Sequence, residues 1–125
     1  ARMFEKRKHG FIGAISSVAG DRGRKSNYLY GAAKAGFSAY LSGLRNRLYA
    51  ANVSVTTIKP GFMDTKMTYG MKLPGPLVAS PKVAGRAIFR AIVKRKNEVY
   101  VLGVWRYIML IIRHIPEFQF KKMSI

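Results

Sequence analysis

Phe11-Ile12-Gly13-Ala14-Ile15, Val53-Ser54-Val55-Thr56-Thr57-Ile58 and Glu98 to Val104 are three short apolar or β-branched runs, and a helix-patterned stretch stands between each neighbouring pair. The first run follows Gly10 and the second is closed by Lys59-Pro60-Gly61, so both are bounded as strands are. The first, apolar throughout, reads as a strand buried on both faces. Between the first two, Tyr28 to Ala50 carries Phe37, Leu41, Leu44 and Leu48 at helical spacing, and Asn52 ends it. Its Ala32, Ala33, Ala35 and Gly36 are expected to let a neighbouring backbone approach closely. Ser80-Pro81 opens the next helix, with Ser80 as N-cap and Pro81 in the first turn. Val83, Ala84, Ala87, Ile88, Ala91 and Ile92 form its apolar stripe, and Lys94-Arg95-Lys96 suits its negative end. Ala1 to Lys8 reads as the last turns of a basic helix, stopped at His9-Gly10. Strands alternating with helices of this length predict an α/β fold with parallel strands in a doubly wound sheet.

A chain of 125 residues suffices for one core and not for two. The links are distinct in character. Ser16 to Gly20 is built of small residues, Asp21 to Asn27 is polar and basic, and Phe62 to Ser80 is a Met-, Gly- and Pro-rich loop with one short helix. Trp105 to Ile125 is an apolar and basic tail broken at Pro116. The start at Ala1 carries no secretory signal and reads like the interior of a longer protein. Tyr107 to Ile112 is the longest apolar run, far below the roughly 20 residues of a membrane span.

Lys and Arg number 23 against five acids, a formal net charge of +18. Such an excess favours anionic partners: nucleic acid, phosphorylated substrates or anionic lipid. A solvated basic face, or an acidic half elsewhere in the protein, accounts for it equally well. No nucleic-acid motif is present, and aromatics do not interleave with basic residues as stacking platforms would; no nucleic-acid partner is expected. The absence of cysteine excludes disulfides and thiolate metal sites and fits a reducing, cytoplasmic setting. With two His and five acids, no metal site is expected.

Tyr30 and Lys34 stand four apart in a helix, so their side chains share a face. A free phenol, with a pKa of about 10, carries protons poorly at pH 7. An ammonium beside a phenol stabilises the phenolate and turns the pair into a usable proton donor or acceptor. Ser17 lies where the first strand runs out, at the edge where open parallel sheets bind ligands; a hydroxyl there can steady charge growing on a substrate oxygen. Taken alone the pair means little, because seven Tyr in this Lys-rich chain give roughly 0.7 such pairs by chance. The bland readings are a half-buried helix tyrosine, a solvated lysine and a hydroxylated turn.

The ensemble is more specific. Ser17 precedes Val18-Ala19-Gly20, Tyr30 follows near the start of an alanine-rich helix, Lys34 comes one turn later, and the next strand ends in Pro60-Gly61-Phe62-Met63-Asp64-Thr65. From Phe11 to Gly103 this resembles the short-chain dehydrogenase/reductase family. The resemblance implies the C-terminal half of a Rossmann-like doubly wound domain, with NAD or NADP as cofactor and a small-molecule carbonyl or alcohol as substrate. It implies that Ser17 orients the substrate, that Tyr30 passes the proton, and that Lys34 holds the nicotinamide ribose beside Tyr30. It further implies that Pro60, Gly61 and Thr65 contact the nicotinamide end, that Phe62 and Met63 line the same pocket, and that the enzyme is a homo-oligomer. Two family features, the glycine-rich phosphate turn and the Asn-Ala-Gly strand, are not in this sequence, so this stretch alone is expected to bind cofactor poorly and to be inactive.

Trp105-Arg106-Tyr107-Ile108-Met109, Arg113-His114-Ile115-Pro116 and Phe120-Lys121-Lys122, with Arg22, Arg24, Lys25, Ser26 and Asn27, resemble one subgroup. That subgroup includes the reductase half of the decaprenylphosphoryl-ribose 2-epimerase pair, which implies a keto-sugar on a polyprenyl phosphate. An apolar helix flanked by cations suits peripheral contact with an anionic membrane; packing in the core or against another subunit is the competing use. The charge alone leaves a basic binding module without turnover as the alternative to an oxidoreductase.

Overall fold

The computed structural model describes residues 1–64 and 66–125. Helix α1 (Arg2–Arg7) leads into strand β1 (Gly10–Ile15), helix α2 (Tyr28–Leu48) and strand β2 (Val53–Pro60). The short strands β3 (Phe62–Met63) and β4 (Val78–Ala79) pair with each other in parallel. Helix α3 (Pro81–Val93), strand β5 (Glu98–Val101) and helices α4 (Val104–His114) and α5 (Glu117–Phe120) complete the described chain. The main sheet has the order β1-β2-β5, parallel throughout, with Gly10 opposite Val53 and Thr57 opposite Glu98. Parallel neighbours need crossover connections, and α2 and α3 supply them.

The two-residue alternation of β2 sends its side chains to opposite layers. Val53 and Val55 pack with Leu41, Leu48 and Ala51 of the α2 arm, joined by Phe4, Ile12 and Ala14. Ile58 packs on the other face with Ala84 of α3, Ala79 and Val101. Helices therefore cover both faces of the sheet, as the alternation predicts. Arg45 bolts the α2 layer down: Nε donates to the Val55 carbonyl at 2.8 Å, and Nη2 donates to Thr57 Oγ1 and the Asn97 carbonyl, each at 2.7 Å. Ser80 caps α3, its hydroxyl accepting from the Val83 amide at 3.3 Å, with Pro81 in the first turn.

Several expectations are corrected. Within residues 1–125 strand β1 is not buried on both faces: Phe11 and Ile15 on one face are 61% and 55% exposed. The third strand stops at Val101 rather than Val104, because Leu102 takes a left-handed backbone (φ 61) that turns the chain into α4. Helix α2 ends at Leu48 and tightens into a 3-10 turn over Tyr49–Ala51 before left-handed Asn52. Ala32, Ala33, Ala35 and Gly36 are exposed, yet a neighbouring backbone does approach this stretch of helix at Ala35. The tight contact is made by Gly20, where a Cβ would stand 2.7 Å from the Lys34 carbonyl carbon and the Ala35 nitrogen. Phe37 and Val83 stand at the exposed margins of their stripes.

Candidate active site

Both motif-bearing turns leave the same edge of the sheet. Ile15 pairs with Ile58, and the Ser16 amide donates to the Ile58 carbonyl at 2.7 Å, so the chain exits β1 beside the last residues of β2. This is the carboxyl edge, where open parallel sheets take ligands.

Ser17 is extended (φ −166, ψ 153) and caps a 3-10 turn over Val18–Gly20; its buried Oγ accepts from the Ala19 amide at 3.1 Å. The turn rests on α2 through Gly20, where any side chain would strike the helix backbone. Ser16 makes the joint rigid, its Oγ donating to the Lys34 carbonyl at 3.1 Å and sharing a 2.7 Å hydrogen bond with Ser38 Oγ. Tyr30 projects from the first turn of α2 and is 43% exposed. Lys34 lies one turn on, with Nζ 5.7 Å from the Tyr30 ring centroid and 5.9 Å from that of Phe37. The same Nζ donates to the Ile15 carbonyl at 3.2 Å, which aims it at the strand end. The structure thus joins Tyr30 to Lys34 directly and seats the Ser17 turn against the same stretch of helix.

Pro60 closes β2 opposite Val101. Gly61 follows, and a Cβ there would overlap the Trp105 indole, so only glycine fits. Phe62 meets Trp105 edge-on, with centroids 5.5 Å apart at 73°. Trp105 Nε1 donates to the Leu77 carbonyl at 3.3 Å. Met63 packs toward the Ile58 cluster, and Thr65 lies outside the described residues. The donor set fits a nicotinamide ribose in part: Lys34 has one backbone acceptor and further N–H groups, beside an exposed phenol. No residue of this chain supplies a glycine-rich turn for the pyrophosphate.

One cluster escaped sequence reasoning. Lys59, immediately before Pro60, is buried and forms an ion pair with Asp21, Nζ to Oδ1 2.9 Å, with side chains only 6% and 4% exposed. Glu98 lies 3.4 Å from the same ammonium, and Tyr100 OH donates to Asp21 Oδ2 at 2.6 Å. The available signal was a lysine inside a β-branched run, since a buried cation requires a partner. Burial, followed by the hydrogen bond to Asp21, pushes the Tyr100 phenol well above its ordinary value near 10. The folded protein thus keeps that proton at pH values where the unfolded chain loses it, so stability should fall as pH rises past about 10. Tyr100→Phe should flatten this part of the alkaline limb, measured as denaturant unfolding across pH; an unaltered slope would refute the assignment.

A groove of about 430 Å³ lies beyond β5, lined by Glu98, Tyr100, Arg106, Tyr107, Leu110 and Arg113. Tyr30 and Lys34 do not line it, so it is no part of this site. Among the described residues no group of three His, Asp or Glu side chains gathers as metal ligands, and no helix is long and apolar enough to cross a membrane.

Residues 1–73 match the family model for short chain dehydrogenases. An uncharacterized oxidoreductase of Mycobacterium tuberculosis is 38% identical over 91% of this chain and 45% of its own length. The ketoacyl reductase HetN of Nostoc is 32% identical over 77% of the chain and 35% of its own length. Among solved structures, a short chain dehydrogenase from Burkholderia cenocepacia in complex with NADP aligns with a TM-score of 0.76 at 24% identity, covering 91% of this chain and 46% of that one. At that identity the likeness shows the fold. The chain spans about half the length of the curated relatives it matches.

Proposed function

Because this chain belongs to the short-chain dehydrogenase family, we propose that it carries the proton-transfer half of an NAD(P)-dependent oxidoreductase acting on a small carbonyl or alcohol. The observation that supports this reading most is the Tyr30–Lys34 pair, held at the carboxyl edge of the sheet beside the Ser17 turn. A bound nicotinamide dinucleotide supplies the hydride chemistry. Tyr30 gives its phenolic proton to the substrate oxygen as an alcohol forms, or accepts it in the reverse direction. Lys34 sets its ammonium beside the ring, where it stabilises negative charge left on the phenol oxygen, and its remaining N–H groups face the ribose. Ser17 hydrogen-bonds the substrate oxygen, turning its hydroxyl hydrogen outward while its lone pair keeps the Ala19 amide. Pro60, Gly61, Phe62 and Met63 form the nicotinamide side of the pocket. These 125 residues contain no glycine-rich turn for the pyrophosphate, so by themselves they bind the dinucleotide poorly and are inactive.

The finer reading concerns substrate and surroundings. Tyr107, Leu110, Ile111 and Phe118 are exposed along α4 and α5, with Arg106, Arg113, Lys121 and Lys122 among them. That surface suits a lipid-linked anionic substrate, such as a keto-sugar on a polyprenyl phosphate, and peripheral contact of a cytoplasmic enzyme with an anionic membrane. Contact with a second subunit of a homo-oligomer is the competing use of the same ridge.

Thermal unfolding of the full-length protein with NAD, NADH, NADP and NADPH tests the reading. A ligand at about 100 times its Kd stabilises by roughly 2.7 kcal/mol, and one oxidised–reduced pair should raise the midpoint. No shift with any of the four would leave a basic binding protein on this fold and withdraw the catalytic roles.

A further inference from the structure

Asp21 and Arg22 follow the Ser17 turn directly, and their side chains engage different elements. Asp21 grips Lys59, the residue before Pro60-Gly61. Arg22 reaches about ninety residues ahead. Its Nη1 donates to the Ile112 and Ile115 carbonyls, each at 2.6 Å, and to Arg113 O at 3.4 Å. Its Nη2 donates to Glu117 Oε2 at 2.9 Å, and the guanidinium carbon stands 3.6 Å from the centroid of the Phe120 ring. The side chain is only 15% exposed.

The carbonyls at a helix C-terminus lack intrahelical donors, and their dipoles sum to negative charge there. A planar guanidinium can serve two of them, a carboxylate and an aromatic face together; an ammonium cannot. Arg22 therefore does more than pair with Glu117, which is largely exposed and adds little by itself. It closes α4, seats α5 and pins both helices to the turn that begins at Ser17.

Trp105 lies in the first turn of α4, where its indole covers Gly61 and meets Phe62. The contacts thus form a closed ring: Ser17 turn, Arg22, α4, Trp105, Gly61, Lys59, Asp21 and back to the Ser17 turn. Resting on the dehydrogenase reading above, we propose that Arg22 is a positioning residue of this enzyme. It couples the C-terminal helix pair to the Ser17 turn, so that the Trp105 wall and the Ser17 hydroxyl stay in register across the nicotinamide pocket.

The test uses full-length protein with Arg22→Lys, which keeps the charge, and Arg22→Met, which keeps an apolar stem but removes the guanidinium from Phe120 and its acceptors. Amide hydrogen exchange without ligand is one readout; turnover of NADPH or NADH, whichever the unsubstituted protein oxidises, with an aromatic ortho-quinone as carbonyl probe is the other. Either variant should speed exchange both at the end of α4 and at Ala19, Gly20 and Asp21, leaving β2 protected. It should also lower kcat about tenfold, with the dinucleotide KM changed by less than about twofold. Faster exchange confined to α4 with kcat unchanged would overturn the proposal, making Arg22 a helix cap only. Protection lost equally in β2 would overturn it too, since the residue would then hold the fold at large. If the unsubstituted protein oxidises neither NADPH nor NADH, the dehydrogenase reading fails, while the exchange pattern still decides the coupling.

Discussion

Tyr30→Phe in the full-length protein is expected to lower kcat by about two to four orders of magnitude while leaving dinucleotide Kd within about twofold. The change removes one oxygen and nothing else. The ring stays near Lys34 Nζ, and Lys34 keeps its bond to the Ile15 carbonyl, so the N–H groups proposed to hold the ribose remain in place. Tyr30 is 43% exposed, so folding is little affected. What is lost is the proton carrier, and general acid–base catalysis of this kind is worth roughly 10²–10⁴-fold. Steady-state kinetics with a carbonyl probe and fluorescence titration of NADPH or NADH separate the two quantities. Unchanged turnover would remove Tyr30 from the mechanism; a matching loss of dinucleotide affinity would make it a binding residue instead.

Lys59→Met is expected to produce the largest loss of stability among single changes at the site, roughly 3–5 kcal/mol, the usual cost of breaking a buried pair from one side. Methionine preserves most of the apolar stem, so the cavity is small. The penalty arises because the Asp21 carboxylate stays in the interior with Tyr100 OH as its remaining polar partner. Pairing Lys59→Met with Asp21→Leu should recover much of the loss, because two well-packed apolar groups substitute for a buried ion pair at little cost. Denaturant unfolding of the two singles and the double forms a cycle whose coupling term is the measurement. Additive effects would show that the pair, despite its 2.9 Å separation, carries no special energy.

These two residues illustrate how differently parts of the site could be read beforehand. Tyr30 and Lys34 were legible because a helix brings residues four apart together wherever it sits. Lys59 and Asp21 were not, because their meeting depends on β1 and β2 lying side by side, a relation between segments about forty residues apart. Arg22 looked like one more basic loop residue, and only the return of α4 across the sheet edge supplied its acceptors. Gly61 was expected to face cofactor; its glycine is also demanded by Trp105, from a helix assigned beforehand to an apolar tail.

The errors follow the same division. Strand β1 is apolar throughout, which predicts burial on both faces, yet within residues 1–125 Phe11 and Ile15 stay open on one face. Composition is local, whereas burial depends on neighbours. The end of β5 at Val101 turns on the left-handed backbone of Leu102, a conformation that leucine rarely takes and no pattern announces.

By itself, then, the sequence determined the alternation of strands and helices, the parallel doubly wound class, the Tyr30–Lys34 pair and the two turns at the carboxyl edge, because each follows from periodicities of two and 3.6 residues or from short motifs. The tertiary structure alone decided the ion pair beneath the site, the Trp105 wall over Gly61 and the Arg22 tie to the C-terminal helices, because each joins side chains whose distance in space is set by the crossovers and not by their spacing along the chain.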